Sequence, residues 1–254
     1  NNNEIIEVNN PSTLQIIAKV PKCGKDETHY AIEKANEAWN DWKNRPAIER
    51  SSFLRKWFNL IENNKEDLAK IMTLEQGKPL AESRMEIEMA NSYVEWNAEE
   101  AKRVYGDIIP DRLTDRRAVI IKQPVGVVGS ITPWNFPSAM ITRKCSPALA
   151  VGCTVVIKPA SQTPLSALAL AALAEEAGFP KGVINVITGT AKEIGGELTT
   201  NPIVRKISFT GSTEVGKILL AQCATTVKKV SMELGGHAPF IVFDDADVDE
   251  AVEG

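Results

Sequence analysis

Histidine and cysteine are scarce in this chain, which limits the chemistry open to it. The two histidines and four cysteines are His29, His237, Cys23, Cys145, Cys153 and Cys223. They form no C-x-x-C pair, so neither a zinc site nor a disulfide framework is indicated in a chain of 254 residues. Neither histidine has the sequence context of a Ser-His-Asp triad. We therefore expect reduced thiols, no metal and a cytoplasmic location.

Long apolar runs and a basic surface are also missing. No apolar run approaches the roughly 20 residues that span a bilayer, and the N-terminus, NNNEIIEVNNPST, lacks the features of a secretory signal. The net charge of -4 comes without a basic stripe. We expect neither a membrane nor a nucleic-acid partner, and a globular protein of one large or two ordinary domains.

The first hundred residues show mainly helical spacing. Residues 5–20 read as two short strands around an Asn-Asn-Pro-Ser turn, and four amphipathic helices follow. They are predicted from Asp26, from Pro46, over Glu66–Gln76 and from Pro79 to about Tyr105. The predicted core faces of the first two are Tyr30, Ala31, Ala35, Ala38 and Trp39, and Phe53, Leu54, Trp57, Leu60 and Ile61.

The stretch Val125–Leu170 has the pattern of a βαβ unit, with apolar β-branched runs on either side of a helical segment. The pattern repeats to the end of the chain and predicts a doubly wound α/β fold with a parallel sheet. Strands are predicted at Val125–Ile131, Thr154–Ile157, Val183–Val186, Lys206–Phe209, Lys229–Met232 and Pro239–Phe243. Helices are predicted at Ser138–Val151, Ser166–Ala177, Lys192–Thr199 and Thr213–Thr225.

Two further features concern organisation. Residues 107–123 alternate like an antiparallel hairpin around a charged turn, which is either an ordinary surface hairpin or an edge that pairs with another subunit. The acidic segment 244–254 begins a helix without a stop signal, so we interpret the chain as a fragment.

The loops at the carboxyl ends of parallel strands are where ligands bind in such sheets. The segment FTGSTEVG joins a strand to a helix whose first amides can hold an anion, and Gly211 and Gly216 allow close approach. It is not the G-x-G-x-x-G fingerprint, so an ordinary capped helix is the alternative. In dinucleotide-binding folds, an acid after the second strand holds the hydroxyls of the adenosine ribose. Lys158 and Ser161 follow that strand here, and a cation with a small hydroxyl would accept a ribose 2′-phosphate better than an acid would. The alternative is that Lys158 is merely a solvated lysine.

Two other residues are candidates for catalysis. Glu233 follows a strand and precedes two glycines, and it could act as a general base if it is partly desolvated. Asn135 lies between Trp134 and Pro137, and it could either donate hydrogen bonds to a developing oxyanion or cap the following helix.

The motifs PWNFP, KPASQTP, FTGSTEVG and MELGG, with EQGKPLAES and AGFPKGVINVITG, together resemble the aldehyde dehydrogenase superfamily over essentially the whole chain. Within it, SITPWNFPSAMITRKCSPALAVGCTVVIKPASQTP looks like the succinate-semialdehyde dehydrogenases. The resemblance implies a Rossmann-like dinucleotide-binding domain (1–106 and 124–236), an oligomerisation hairpin (107–123) and the start of a truncated catalytic domain (237–254). It also implies a homo-oligomer, dimeric or tetrameric.

The resemblance assigns roles by position. It implies that Asn135 stabilises the oxyanion, that Glu233 is the general base, and that Arg143 binds the substrate carboxylate, with a salt-bridged helix arginine as the alternative. Ser161, where many members have Glu, favours NADP or the use of both NADP and NAD. The implied cofactor contacts are Thr132, Pro133, Trp134, Lys158, Pro159, Ala160, Ser161, Gly211, Ser212, Thr213, Glu214, Val215, Gly216 and Leu234.

One departure from the family pattern concerns the nucleophile. The family's cysteine lies in a motif resembling F-x-N-x-G-Q-x-C, and no cysteine of this chain follows Glu233. The expected function is NAD(P)-dependent oxidation of a small aldehyde to an acid, most simply of succinate semialdehyde, with residues 1–254 inactive alone. The alternatives are a non-catalytic nucleotide-binding or assembly module, and a dehydrogenase for glutarate semialdehyde or an uncharged aldehyde.

Overall fold

The computed structural model describes residues 4–253, beginning with a small hairpin and a layer of helices. Strands β1 (Ile5–Asn9) and β2 (Ile16–Pro21) are antiparallel. The helices are α1 (Lys25–Trp42), α2 (Ala47–Asn63), α3 (Lys65–Gln76) and α4 (Leu80–Glu100), the last extended by a 3₁₀ turn at Ala101–Arg103. Strands β3 (Asp107–Ile109) and β4 (Ala118–Ile120) then form the predicted hairpin.

The remaining elements form the doubly wound unit that the sequence predicts. They are β5 (Val127–Ile131), α5 (Ala139–Ala150), β6 (Thr154–Lys158), α6 (Leu165–Glu176), β7 (Ile184–Val186), α7 (Ala191–Thr200), β8 (Val204–Thr210), α8 (Thr213–Ala224), β9 (Lys229–Glu233) and α9 (Val248–Glu253). The sheet order is β7-β6-β5-β8-β9, and every pair is parallel. The predicted α/β fold class is confirmed.

Helices cover both faces of the sheet because its strands are apolar on both sides. Val155 and Ile157 of β6 point into a core shared with helices α2 to α6, whereas Val156 points into a second core with α1, α7 and α8. Trp57 of α2 lies in the first core, where its indole nitrogen donates to the main-chain oxygen of Leu170 at 3.0 Å. The helical layer is thus fixed directly against the sheet.

Proline and glycine set the boundaries of helices α2, α3 and α4. Pro46 and Pro79 stand immediately before α2 and α4, where the missing N–H group costs nothing. Gly77 ends α3 in the left-handed region with φ +91°, packed against Pro11. The connection between α3 and α4 is therefore only three residues long, and it carries Lys78 close to the sheet.

Two sequence predictions are wrong in detail. Tyr30 is 61% exposed, because the buried face of α1 runs through Ile32, Ala35 and Trp42 instead. Residues 239–243 form no strand, because no strand of residues 4–253 lies beside them to complete the hydrogen bonds. Their side chains, including Phe240 and Phe243, are exposed.

Two features are absent from residues 4–253. No helix within residues 4–253 has both the length and the apolar character needed to cross a membrane. Over the same residues, histidine, cysteine, aspartate and glutamate side chains form no cluster that could hold a metal ion.

Candidate functional site

The predicted site residues converge on one edge of the sheet. Because all five strands are parallel, the segments after β5, β6, β8 and β9 leave the sheet on the same side. Thr132, Pro133, Lys158, Pro159, Ala160, Ser161, Gly211, Gly216 and Leu234 are buried or half-buried there, and Trp134, Asn135, Ser212, Thr213, Glu214 and Val215 are exposed. The edge therefore has a buried floor and an open upper surface.

Lys158 ends β6 and is 5% exposed, so it is not a solvated lysine. Its ammonium lies 3.5 Å from the hydroxyl of Ser161, and it forms no ion pair with any carboxylate of residues 4–253. Burial lowers the pKa of Lys158 from its ordinary value, because the charged form loses water without gaining a counter-ion. A buried cation of this kind is suited to an anionic or hydroxyl-rich ligand.

The N-terminus of α8 is the most open helix start on this edge. Ser212 caps it by accepting a hydrogen bond from the Val215 amide at 3.3 Å, and Ser212 to Val215 are all exposed. The first amides of a helix have no acceptor within it, and they carry a partial positive charge. An anion could bind here without displacing a protein carboxylate.

The glycines of this segment serve packing. A Cβ atom on Gly211 would strike the ring of Phe209, and one on Gly216 would strike the side chain of Leu234. Gly211 also donates its amide to the main-chain oxygen of Glu233 at 3.1 Å. Both glycines let α8 pack against the ends of β8 and β9. Close approach of a ligand at these glycines stays a prediction.

Asn135 does not cap α5, which removes one of its two predicted roles. The amides of Ser138 and Ala139 at the start of α5 instead donate to the carboxylate of Glu86, at 2.9 and 3.1 Å. Lys78 forms an ion pair with the same carboxylate at 2.5 Å and donates to the main-chain oxygen of Asn135 at 2.9 Å. The Asn135 side chain makes no hydrogen bond within residues 4–253.

A second buried carboxylate holds the start of α6. Glu75 accepts hydrogen bonds from the amides of Leu165 and Ser166, at 2.6 and 2.8 Å, and from the Ser166 hydroxyl at 2.5 Å. Burial raises the pKa of Glu75 to about 7, although these hydrogen bonds act in the opposite direction. Glu75 and Glu86 therefore occupy the helix starts that follow β6 and β5.

Lys78, Glu75 and Glu86 are the site residues that sequence reasoning missed. The quoted segment EQGKPLAES contains two of them, without an assigned role. A usable signal was present, because Glu75 continues the buried series Leu68 and Met72, and Glu86 adjoins buried Ile87. An acid at a core position of an amphipathic helix indicates a buried partner.

Glu233 and Arg143 lie together beside β9. Arg143 of α5 is 3.8 Å from the Glu233 carboxylate, and both side chains are about half exposed or more, so the pair is weak. With neighbours that include Lys144 and Ser231 they line a cavity of about 190 Å³. Glu233 is not desolvated by residues 4–253, as a strong base at neutral pH would need to be.

None of the four thiols is prepared for nucleophilic attack. Burial raises the pKa of Cys145 to about 12 and raises the pKa values of Cys23, Cys153 and Cys223. A reactive cysteine needs a lowered pKa, because the thiolate is the nucleophile. All four cysteines are free.

Comparisons with known proteins give the family and the relatives of this chain. The aldehyde dehydrogenase family matches residues 1–254. Glutarate-semialdehyde dehydrogenase of Pseudomonas aeruginosa is 64% identical over 253 residues, covering 100% of this chain and 52% of that protein. An NADP(+) succinate-semialdehyde dehydrogenase of Escherichia coli is 62% identical over 254 residues, covering 100% of this chain and 53% of the relative.

A solved structure extends the agreement to three dimensions. Betaine aldehyde dehydrogenase of Staphylococcus aureus, crystallised with NAD+, superimposes with a TM-score of 0.92 at 36% identity. The match covers 98% of this chain and 51% of that one. This chain spans about half the length of the curated relatives it matches.

The five-stranded parallel sheet, covered by helices on both faces, defines a Rossmann-like α/β protein. The match along its whole length is more specific. The chain belongs to the aldehyde dehydrogenase family.

Proposed function

We propose that this chain provides the cofactor-binding part of an NAD(P)-dependent aldehyde dehydrogenase, which oxidises an aldehyde to a carboxylic acid. Residues 1–106 and 124–236 would form the dinucleotide-binding domain, and residues 237–254 would begin the catalytic domain. The observation that carries the proposal is the buried, unpaired ammonium of Lys158 beside Ser161, on the same sheet edge as the open start of α8.

The cofactor would lie along this edge. Lys158 and Ser161 would hold the adenosine ribose, and in NADP its 2′-phosphate, because a cation and a hydroxyl face the ligand there. The α8 start, at Ser212 and Thr213, would hold the diphosphate. The absence of a carboxylate next to Lys158 among residues 4–253 supports NADP, while leaving NAD acceptable. The names of the relatives include NADP(+) and NAD+.

The chemistry of the whole enzyme would need a thiol. The thiol would attack the aldehyde carbonyl, and the Asn135 amide would donate to the oxyanion that forms. Loss of the hydride from the carbon of the resulting thiohemiacetal, with NAD(P)+ as the acceptor when bound, would leave a thioester on the thiol. Glu233 would then take a proton from the water that hydrolyses the thioester. Because Glu233 is exposed in residues 4–253, this role requires further protein to cover it.

The buried thiols limit what residues 1–254 can do alone. All four have raised pKa values, so the chain by itself should bind cofactor without oxidising aldehydes. The same observation favours the second candidate function, a nucleotide-binding or assembly module without catalysis.

Arg143 and the exposed hairpin indicate the substrate and the assembly of the whole enzyme. The substrate would be succinate semialdehyde, whose carboxylate Arg143 would bind after releasing Glu233. Glutarate semialdehyde, which the name of a relative contains, is the alternative.

The hairpin at 107–123 exposes Ile108, Ile109 and Val119, which would be buried in a dimer or tetramer. Four free thiols agree with a reducing compartment such as the cytoplasm.

The proposal can be tested with two polypeptides, residues 1–254 and the full-length protein that contains them. Both should bind NADP+ in a calorimetric titration, and the full-length protein should reduce it in the presence of succinate semialdehyde. Turnover of an aldehyde by residues 1–254 alone would contradict the proposal that none of their four thiols is the nucleophile. Cofactor binding by both polypeptides, with no turnover of any aldehyde by either, would favour the module.

A further inference from the structure

We propose that Lys78 and Glu86 form a positioning pair that fixes Asn135 for its role as oxyanion donor. The inference rests on the proposed function, since it presumes that Asn135 acts on a reacting carbonyl. Neither residue belongs to the sheet: Lys78 lies between α3 and α4, and Glu86 lies in α4. Together they hold the loop between β5 and α5, which we call the Asn135 loop (residues 132–138).

Lys78 contacts the middle of the Asn135 loop. Its ammonium donates to the main-chain oxygen of Asn135 at 2.9 Å and lies 4.4 Å from the centroid of the Phe136 ring. These contacts fix the peptide group between Asn135 and Phe136 from one side. Rotation of that peptide would break the hydrogen bond, so the direction in which the Asn135 side chain leaves the backbone is restricted.

Glu86 contacts the end of the same loop. One carboxylate oxygen accepts from the amides of Ser138 and Ala139, and the other accepts from Lys78 at 2.5 Å. At the other end of the loop, the Thr132 amide donates to the main-chain oxygen of Lys158 at 3.1 Å. The loop is therefore held at its start, middle and end, and Lys78 and Glu86 supply side-chain contacts at the middle and the end.

Burial makes the arrangement rigid. The Lys78 and Glu86 side chains are 10% and 1% exposed, so neither charge can turn to water if the other moves away. Separating a buried pair is far more costly than separating an exposed one, because each charge is left without a partner. The pair therefore has one favourable geometry.

The consequence falls on Asn135 itself. Its side-chain amide has no partner within residues 4–253, since Glu86 caps α5 in its place. The amide is free to donate to a ligand, while Lys78 holds the main-chain oxygen of Asn135 and Glu86 holds the end of its loop. A displacement of about 1 Å at such a donor costs up to roughly 100-fold in rate. Lys78 and Glu86 would therefore influence the chemistry without touching the substrate.

The test uses the full-length protein with Lys78→Met and Glu86→Gln combined, which removes the loop contact without leaving a lone buried charge. We expect kcat to fall roughly 10-fold or more, with the KM for aldehyde and the Kd for NADP+ changed less than about twofold. The double variant is also combined with Asn135→Ala. Because Lys78 and Glu86 act through Asn135, the double substitution should lower kcat little further when Asn135 is already replaced by alanine.

The matched control is Lys65→Met combined with Glu88→Gln. Lys65, at the start of α3, forms an ion pair with Glu88 of α4, but these two side chains are more exposed and do not contact the Asn135 loop. The control should keep kcat within about twofold of the parent. If the Lys78/Glu86 variant fails to fold, Lys78→Arg displaces the same donor while keeping the charge, and its loss of kcat should likewise disappear in the Asn135→Ala background.

The outcomes separate the two proposals. If Asn135→Ala leaves kcat unchanged, both the assigned role of Asn135 and the positioning proposal fail. If Asn135→Ala lowers kcat but the Lys78/Glu86 variant does not, or if the two losses multiply, the positioning proposal fails and the function stands.

Discussion

The ammonium of Lys158 lies 3.5 Å from the hydroxyl of Ser161, which in turn lies 3.4 Å from the main-chain oxygen of Gly189. The hydroxyl thus links the end of β6 to the segment after β7. A negative charge in place of this hydroxyl would sit directly beside the buried ammonium. Position 161 should therefore control which adenosine ribose the edge accepts.

Substitution of Ser161 by glutamate should lower the affinity for NADP+ relative to NAD+. The carboxylate would repel a 2′-phosphate and neutralise Lys158, so we expect a shift of roughly 10-fold or more in the ratio of the two dissociation constants. Ser161→Gln is the control, because it has the same length without the charge. An equal change in both dissociation constants would count against this placement of the ribose.

Lys158→Met should weaken NADP+ more than NAD+. It removes the cation that would face the 2′-phosphate, and methionine occupies the buried space without a charge. The loss of a charge-assisted contact predicts a rise of roughly 10-fold or more in the Kd for NADP+. The comparison needs both cofactors and the exposed-lysine control Lys217→Met. Equal affinities for NADP+ in the two variants would argue against Lys158 as the contact.

Ser212→Ala should destabilise α8 slightly. Loss of the hydrogen bond to the Val215 amide is expected to lower the free energy of unfolding by about 1 kcal/mol. Gly216→Ala should be less stable than Gly196→Ala by about 1 kcal/mol, because alanine favours the helix at both positions but its methyl group meets the Leu234 side chain only at position 216. Urea denaturation measures both, and Gly196→Ala is the control because a methyl group there meets nothing. Equal stability of the Gly196 and Gly216 variants would contradict the packing role.

Glu75 should make stability depend on pH in a defined direction. Its pKa is raised in the folded state, so folding favours the protonated form. The stability associated with that form is complete below about pH 4.5 and is lost as the pH rises through about 7. We expect Glu75→Gln to remove a dependence of about 3 kcal/mol.

The measurement is the free energy of unfolding of both proteins at pH 5 and pH 8. The wild-type value should fall relative to that of Glu75→Gln as the pH rises. Parallel pH profiles for the two proteins would show that Glu75 titrates normally.

The exposed hairpin should determine assembly of the full-length protein. Ile108→Asp places a charge where an apolar contact with another subunit is proposed, so sedimentation should show a smaller species. The control is Ile48→Asp, because Ile48 is also an exposed isoleucine but lies on α2. This substitution should not change the mass of the oligomer. An unchanged sedimentation coefficient for both variants would place the interface elsewhere.

The fold was predictable because its strands and helices have distinct periods. The alternation of apolar runs and helical segments after Val125 predicts all five parallel strands, with boundaries wrong by only a few residues. Residues 239–243 show the limit of this reasoning. Their apolar content is that of a strand, but a strand also requires a neighbour, and local sequence does not reveal whether one is present.

The site was predictable only in part, for a similar reason. Lys158 and Ser161 lie three residues apart in sequence and close together in space, so their relationship could be predicted from one loop. The Lys78–Glu86 pair joins the α3–α4 connection to a loop more than 50 residues away, and its importance comes from burial. The two roles predicted for Asn135 could be separated only when Glu86 was seen at the start of α5.

Calorimetric titration of residues 1–254 with NADP+, alongside the variant Lys158→Met combined with Ser212→Ala, tests cofactor binding by this chain most directly. We expect one saturable site in the wild-type chain and a Kd raised roughly 10-fold or more in the variant. No binding by a folded wild-type chain, or equal binding by the variant, would contradict the proposed cofactor site.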